Sequence, residues 1–339
     1  MPKIIASKIP TCSHYPPTRK SIRLTHVKKN KVGTSGLRVG QIGLGTLTWG
    51  RDTEYDDAAR MVRSLIDHGG NLVDISPLYG EGQAIGVLGS MFDGDVDRTE
   101  LVLSAHIGLS VHGGRVIQDS SRSGIIASVD QILGELGTDH LDIVSIAAPD
   151  HDVPFREMIE TLAALVTSGK ARYIGLANHP AWQIARVAQY LSDMRLTDLA
   201  SVNADYSLLD RTVEDNVSAV CGAFGLGIIA QSPLAAGVLT GKYRNTIPAT
   251  SRAATEHLSA TVDRYLDSDS RRSVEAVIKA ADGLGRTPAD VSLAWLLARD
   301  HVASVLSGAR TAAQFDQLLA LDLSALPAPV DDVLSEVTV

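Results

Sequence analysis

From residue 32 onward the chain alternates two hydrophobic rhythms. Short apolar runs of β-type composition recur at 39–46, 71–76, 101–106, 141–147, 172–177, 199–203, 227–232 and 302–307, and stretches with apolar residues at helical spacing lie between them. In Tyr55 to His68, for example, Ala58, Ala59, Val62, Leu65 and Ile66 share one face and Gly69-Gly70 supplies the stop. Similar periods cover 122–136, 155–168, 181–192, 212–224, 271–283 and 288–299. The last opens with Thr287-Pro288, a cap followed by proline at the first helical position. Strands joined by crossover helices make a parallel sheet, and eight of them is the number that closes a (β/α)8 TIM barrel. The pattern predicts an α/β fold with one barrel domain over 32–339, entered through a β-hairpin at Val32 to Val39. The least regular stretch, 244–268, follows the seventh strand and is expected to overhang the C-terminal mouth as a mobile loop.

Length and composition agree with this picture. A chain of 339 residues is long for one domain but ordinary for a (β/α)8 barrel, and 45% hydrophobic residues suffice for a large core. No apolar run of about 18 residues occurs, so no membrane span is expected. The net charge of −8 is unevenly placed: residues 1–31 hold eight Lys or Arg and no Asp or Glu, leaving 23 basic against 39 acidic residues in the rest. An acidic body argues against nucleic acid as partner. The segment 1–31, which lacks the apolar core of a secretory signal, reads as a basic, poorly ordered extension. Cys12 and Cys221 fit neither a disulfide framework nor a zinc site, and the plain inference is a reducing cytoplasm. His112, His140, His179 and His257 stand at no metal-ligand spacing, so no metal is expected.

Candidate chemistry gathers at the predicted strand ends. Asn71-Leu-Val-Asp74-Ile-Ser-Pro-Leu-Tyr79-Gly-Glu-Gly82 sets a Tyr five residues beyond an Asp that closes a strand, and this segment resembles the catalytic signature of the aldo-keto reductases. Further segments carry the likeness along about residues 32–325. They include Gly43-Leu-Gly45-Thr46-Leu-Thr-Trp49-Gly50, Tyr173-Ile-Gly-Leu-Ala-Asn178 and Ser201-Val-Asn203-Ala-Asp-Tyr206. Gln231-Ser232-Pro-Leu234-Ala-Ala-Gly237-Val-Leu-Thr-Gly-Lys242-Tyr243 and Ser307-Gly308-Ala-Arg310-Thr-Ala-Ala-Gln314 complete the series. Each motif alone is weak; their order, each at a predicted strand end, is specific.

The resemblance implies a carbonyl substrate and a catalytic tetrad of Asp, Tyr, Lys and His. Asp74 and Tyr79 match the first two; His106 stands where the lysine belongs and Ala147 where the histidine belongs, with Ala148 in place of an expected aromatic. A lysine gives a fixed positive charge, whereas His106 gives one only when protonated, a form that a neighbouring Asp74 favours. Ala147 offers no hydrogen bond to substrate oxygen, and losing one such donor typically costs about 10²–10³ in rate. Trp49, Ala147 and Ala148 are expected to line the substrate pocket. By resemblance, Asn178 and Asn203 hold the nicotinamide carboxamide, Tyr206 stacks on the ring, and Gly45 and Thr46 admit the cofactor. Ser232 and Leu234 line the pyrophosphate path, and Gly237, Lys242, Ser307 and Gly308 are further cofactor-binding residues. Arg310 and Gln314 grip the adenosine end, where the Arg310 fork suits a 2′-phosphate and so NADPH over NADH. Three functions stay open: an NADPH-dependent carbonyl oxidoreductase with an altered site, an NADPH-binding regulatory or scaffold protein, and a non-redox isomerase or lyase using Tyr79 and His106 as an acid/base pair. Substrate identity and oligomeric state are not encoded in these motifs.

Overall fold

The computed structural model describes residues 27–92, 94 and 96–338. Eight parallel strands close a barrel: β3 (Ile42–Gly45), β4 (Leu72–Ile75), β5 (Val102–Ile107), β8 (Leu141–Ile146), β9 (Ala171–Ala177), β10 (Leu199–Asp205), β11 (Gly227–Gln231) and β12 (Val302–Ser307), in that order around the ring. The ring shuts where Val305 of β12 pairs with Ile42 of β3. Two short ribbons lie outside it, β1 (Lys29–Lys31) with β2 (Arg38–Gly40), and β6 (Leu109–His112) with β7 (Arg115–Gln118). No helix among the described residues is long and apolar enough to cross a membrane.

The helices carry the caps their sequences call for. Thr287 and Asp290 form a reciprocal capping box at the start of Pro288–Leu297. Asp267 accepts two backbone N–H groups at the start of Ser268–Leu284, which ends at the left-handed Gly285. The predicted helix 212–224 is two pieces, Thr212–Asp215 and Val217–Phe224, broken where Asn216 leaves helical geometry at φ −148°.

The N-terminal hairpin begins earlier than its hydrophobic pattern suggested. Lys29–Lys31 forms its first strand and Val27 is buried, so residues 27–31 pack with the barrel; residues 1–26 of the basic segment lie outside the described residues. Correspondingly, the apolar run 39–46 is two strands that bend at Gln41, β2 serving the hairpin and β3 the barrel. The hairpin seals the floor: Val32, Leu37 and Val39 cluster with Leu72, Val102, Ile143, Ile229 and Ala303 from the strands. Its turn touches the barrel closely enough that a Cβ on Gly33, at φ +56°, would lie 2.1 Å from the Gly225 carbonyl oxygen.

Because side chains alternate along a strand, the residue two positions on points the same way. Above the apolar floor of Leu72, Val102, Ile143 and Ile229 therefore stand Asp74, Ser104, Ser145 and Gln231, and the barrel interior turns polar toward its C-terminal mouth.

Stretch 244–268 does overhang that mouth, but it is not irregular. It contains a 3-10 turn, Arg252–Ala254, and a helix, Glu256–Asp263. Arg310 bonds it at the Thr250 carbonyl and the Thr255 hydroxyl, His257 meets Asp52 at 3.0 Å, and Arg264 meets Asp205 at 2.8 Å.

Candidate active site

Asp74 is the hub of the mouth. It is the penultimate residue of β4 and almost fully buried, at 1% exposure. Its Oδ1 accepts from the Ser104 hydroxyl at 2.9 Å and lies 2.8 Å from His106 Nε2; its Oδ2 accepts the Tyr79 hydroxyl at 3.1 Å. Register explains the meeting, since Asp74 pairs with Ser104 across β4 and β5 and His106 is the next inward residue of β5. Tyr79 is delivered by the turn Tyr79–Gly82, whose Gly80 passes so close to Trp49 that a Cβ there would lie 1.7 Å from the Trp49 carbonyl oxygen. The three candidate catalytic residues thus converge, with the Tyr79 and His106 rings 6.5 Å apart.

Burial, then the Asp74 charge and its hydrogen bond, raise the Tyr79 pKa well above the usual tyrosine value, because the phenol proton is held by a carboxylate. Burial by itself would lower the His106 pKa, but the Asp74 charge and hydrogen bond outweigh it and the net direction is upward. Both shifts favour the proton-bearing forms of His106 and Tyr79.

The His106 shift fixes a stability prediction. A histidine whose folded-state pKa is raised contributes stability that is complete below its unfolded value of about 6.5 and is lost as pH rises through the folded value. The natural protein should show a thermal midpoint that declines above pH about 6.5, with a shallower decline in His106→Gln, as calorimetry across that range would register. Parallel declines would remove His106 as the source.

Beside this cluster opens a cavity of about 780 Å³, walled by Asp74 and Tyr79 at one end and by Arg252, Arg310 and Gln314 at the other. Of the residues expected to hold a cofactor, Gly45, Ser232, Leu234, Gly237, Lys242, Ser307, Gly308, Arg310 and Gln314 all line it. Gln314 accepts the Arg310 backbone N–H through Oε1 at 3.0 Å, which fixes the arginine's base. Asn203 is fully buried on β10 with neither side-chain amide atom hydrogen-bonded. Asn178, at φ +57°, sits over the mouth with Nδ2 bonded to the Ala147 carbonyl at 3.3 Å and its backbone N–H bonded to Asn203. Ala147, the residue after β8, is nearly buried and Ala148 is half-buried beside it.

Of the expected site residues, His106, Thr46, Trp49, Ala147, Ala148, Asn178, Asn203 and Tyr206 do not line the cavity, and for Tyr206, Trp49 and Thr46 the packing shows why. Tyr206 is 2% exposed, bonded through its hydroxyl to Glu214 at 2.8 Å and packed edge-on against Trp295, so its ring has no free face at the mouth. Trp49 is wholly buried beneath Gly80. Thr46 is also buried and spends its hydroxyl on the Asp74 carbonyl at 2.8 Å, supporting the strand end. Conversely, the motifs assigned no role to Ser104, Gln231 or Arg252. Ser104 was within reach of the alternation rule, standing two residues before His106. Arg252 had no local signal, because it reaches the cavity through the overhanging segment.

The Asp, Tyr and His cluster and the cleft beside it lie at the C-terminal mouth of an eight-stranded α/β barrel, the face on which enzymes of this fold build their active sites. Residues 41–328 match the Aldo/keto reductase family, and the chain belongs to that family. Among curated relatives, a protein of Oryza sativa subsp. japonica described as a probable voltage-gated potassium channel subunit beta is 31% identical over 305 residues, covering 88% of this chain and 92% of that protein. An uncharacterized oxidoreductase of Bacillus subtilis (strain 168) is 30% identical over 303 residues, covering 86% and 90% respectively. An Arabidopsis thaliana protein, also described as a probable voltage-gated potassium channel subunit beta, is 29% identical over 306 residues, covering 88% and 92%.

Proposed function

We propose that the protein is an NADPH-dependent carbonyl oxidoreductase whose catalytic site is weaker than the family pattern. The observation that carries this reading is the bridging of Tyr79 and His106 by Asp74 at one end of a cavity whose other end holds two arginines. The cavity fits the cofactor. Ser307, in the cavity wall, has its Oγ buried without a partner, and Asn203, which does not itself line the cavity, has both amide atoms unpartnered and suited to a carboxamide. Gly45 and Gly308 face each other, a Cβ on Gly45 lying 3.8 Å from the Gly308 nitrogen, so the walls there are bare backbone. When bound, the reduced nicotinamide supplies the hydride. Asn178 and Asn203 would hold its carboxamide and Ser232 and Leu234 its pyrophosphate, while Tyr79 gives its proton to the carbonyl oxygen. Protonated His106 favours the anionic phenolate that remains, and Asp74 keeps both rings in place.

The choice of phosphorylated cofactor rests on charge. Arg252 and Arg310 face the same cavity end, and neither forms an ion pair with a carboxylate among the described residues. Burial, then the charge of Arg310, lower the Arg252 pKa, and the opposing pull of Tyr243 and Asp52 does not offset them. A 2′-phosphate answers both through charge-assisted bonds of about 1.5–3 kcal/mol each. Calorimetry should find NADPH bound at least tenfold tighter than NADH, and Arg252→Ala and Arg310→Ala should each erode that preference about tenfold while leaving NADH affinity nearly unchanged. Equal affinities for the two nucleotides would refute the assignment.

A second reading, a nucleotide-binding subunit of a larger assembly, is favoured by the methyl group at Ala147 and by the hold of Asp74 on the Tyr79 proton. Two of the relatives are described as probable channel subunits. The same titrations separate the two: tight NADPH binding with no aldehyde-dependent oxidation would support the subunit. An isomerase or lyase has less in its favour, since it makes no use of the arginine end of the cavity.

A further inference from the structure

Between the start of helix Ala181–Asp193 and the helical pieces Thr212–Asp215 and Val217–Phe224 lies a second cavity, of about 890 Å³. It shares no lining residue with the cavity beside Tyr79. Its charged lining is acidic: Asp205, Asp210 and Asp215 contribute to it, and among the described residues no Lys or Arg does. Asp205 meets Arg264 at 2.8 Å and Asp210 accepts the Thr212 hydroxyl at 2.8 Å. Asp215 is exposed and forms no ion pair among the described residues. The rest of the lining is largely apolar, with Ala185, Val217 and Val220, and includes Trp182, whose side chain is 59% exposed.

His179 tells what such a cavity takes. It lines the cavity at 6% exposure, and its Nδ1 lies 2.7 Å from the Ala177 carbonyl oxygen. A carbonyl only accepts, so that nitrogen carries the proton. Burial, against the pull of the same carbonyl, lowers the imidazole pKa and keeps the ring neutral. Nε2 is thus left with a lone pair, and it is buried with no partner. A buried acceptor without a donor is uncommon in a native fold. The group that answers it is a donor, and the carboxylates of the same cavity select one that carries positive charge. The N-terminus of Ala181–Asp193 opposes with about half a positive charge, which three carboxylates outweigh even with one balanced by Arg264. We propose that this cavity binds an organic ammonium ion with a flat apolar body, its N–H groups meeting Asp215 and His179 Nε2 and its body resting on the Trp182 indole, whose face also attracts a cation.

The probe is 2-phenylethylammonium, with 2-phenylethanol as its uncharged counterpart, each titrated calorimetrically into the full chain with and without saturating NADPH. The ammonium is expected to bind about tenfold tighter than the alcohol, and to do so with NADPH present. Fluorescence locates it. Of the three tryptophans, Trp49 and Trp295 are wholly buried, so acrylamide quenching reports Trp182, and the bound probe should reduce it. Asp215→Asn and Trp182→Ala change exposed side chains, and each should raise the Kd of the ammonium about threefold or more while leaving that of NADPH unchanged. His179→Phe, which removes the acceptor, should weaken the probe likewise; if that variant does not fold, the two exposed variants decide. Equal affinities for ammonium and alcohol, displacement of the probe by NADPH, or an unchanged Kd in either exposed variant would overturn the proposal.

Discussion

Tyr79→Phe should reduce carbonyl turnover by about 10²–10⁴-fold, the range for loss of a positioned general acid, while NADPH binds as before. The expectation follows from where the phenol sits. Its hydroxyl is 3.1 Å from Asp74 Oδ2, and it lines the cavity with that carboxylate at its back. The ring of a phenylalanine fills the same space, so the fold and the arginine end of the cavity stay intact. Single-turnover measurements with preloaded NADPH would isolate the step. A variant that retains its turnover would show that some other group, or water, donates the proton.

The opposite change should follow from giving the site the lysine and histidine that the sequence resemblance leads one to expect there. His106→Lys with Ala147→His is expected to raise reduction of an activated aldehyde by about 10²-fold or more, since each restored group acts on charge that develops only in the transition state. The pH profile should change with it. The natural protein's rate should fall as pH rises through the raised His106 pKa, because deprotonation removes the cation beside Tyr79. A lysine at the same place keeps its charge to far higher pH, so the double variant should be flat over that interval. Steady-state assays from about pH 6 to 9 would check both. Brisk reduction by the natural protein at alkaline pH, with no gain from the replacements, would mean that neither position limits it.

Much of this was legible in the chain because a barrel writes its function at strand ends. The Asp74 to Tyr79 spacing and the position of His106 were enough to expect a meeting at one mouth, and they meet through Asp74. What the motifs could not convey was depth. Tyr206 and Trp49 occupy strand-end segments like the others, yet packing against Trp295 and beneath Gly80 takes both out of the cavity. Side-chain size and polarity do not announce that outcome, since both residues are equally suited to a core and to a pocket. Arg252 shows the converse. It lies in a Thr- and Ser-rich stretch without helical periodicity, and only the fold of that segment over the mouth, pinned by Arg310 and by the contact of His257 with Asp52, sets it against Gly308. The run 39–46 hid its bend for a similar reason: hydrophobicity continues through Gln41 although the partner strand changes from β1 to β12 and β4.

The seam between β12 and β3 carries a consequence for how the molecule is made. Residues 42–44 find their partners in residues 305–307, so a chain emerging from the ribosome has presented seven of its barrel strands before the eighth exists to complete the ring. Throughout that interval β3 has one bare edge, and the hairpin strand β2 lacks the β12 neighbour against which it also rests. Pairings of such long sequence separation form slowly, and an unpaired strand edge is the surface through which nascent chains associate with one another. Yield in a cell should therefore respond to growth temperature and to chaperone supply, through the lifetime of the open seven-stranded intermediate rather than through the strength of the finished barrel.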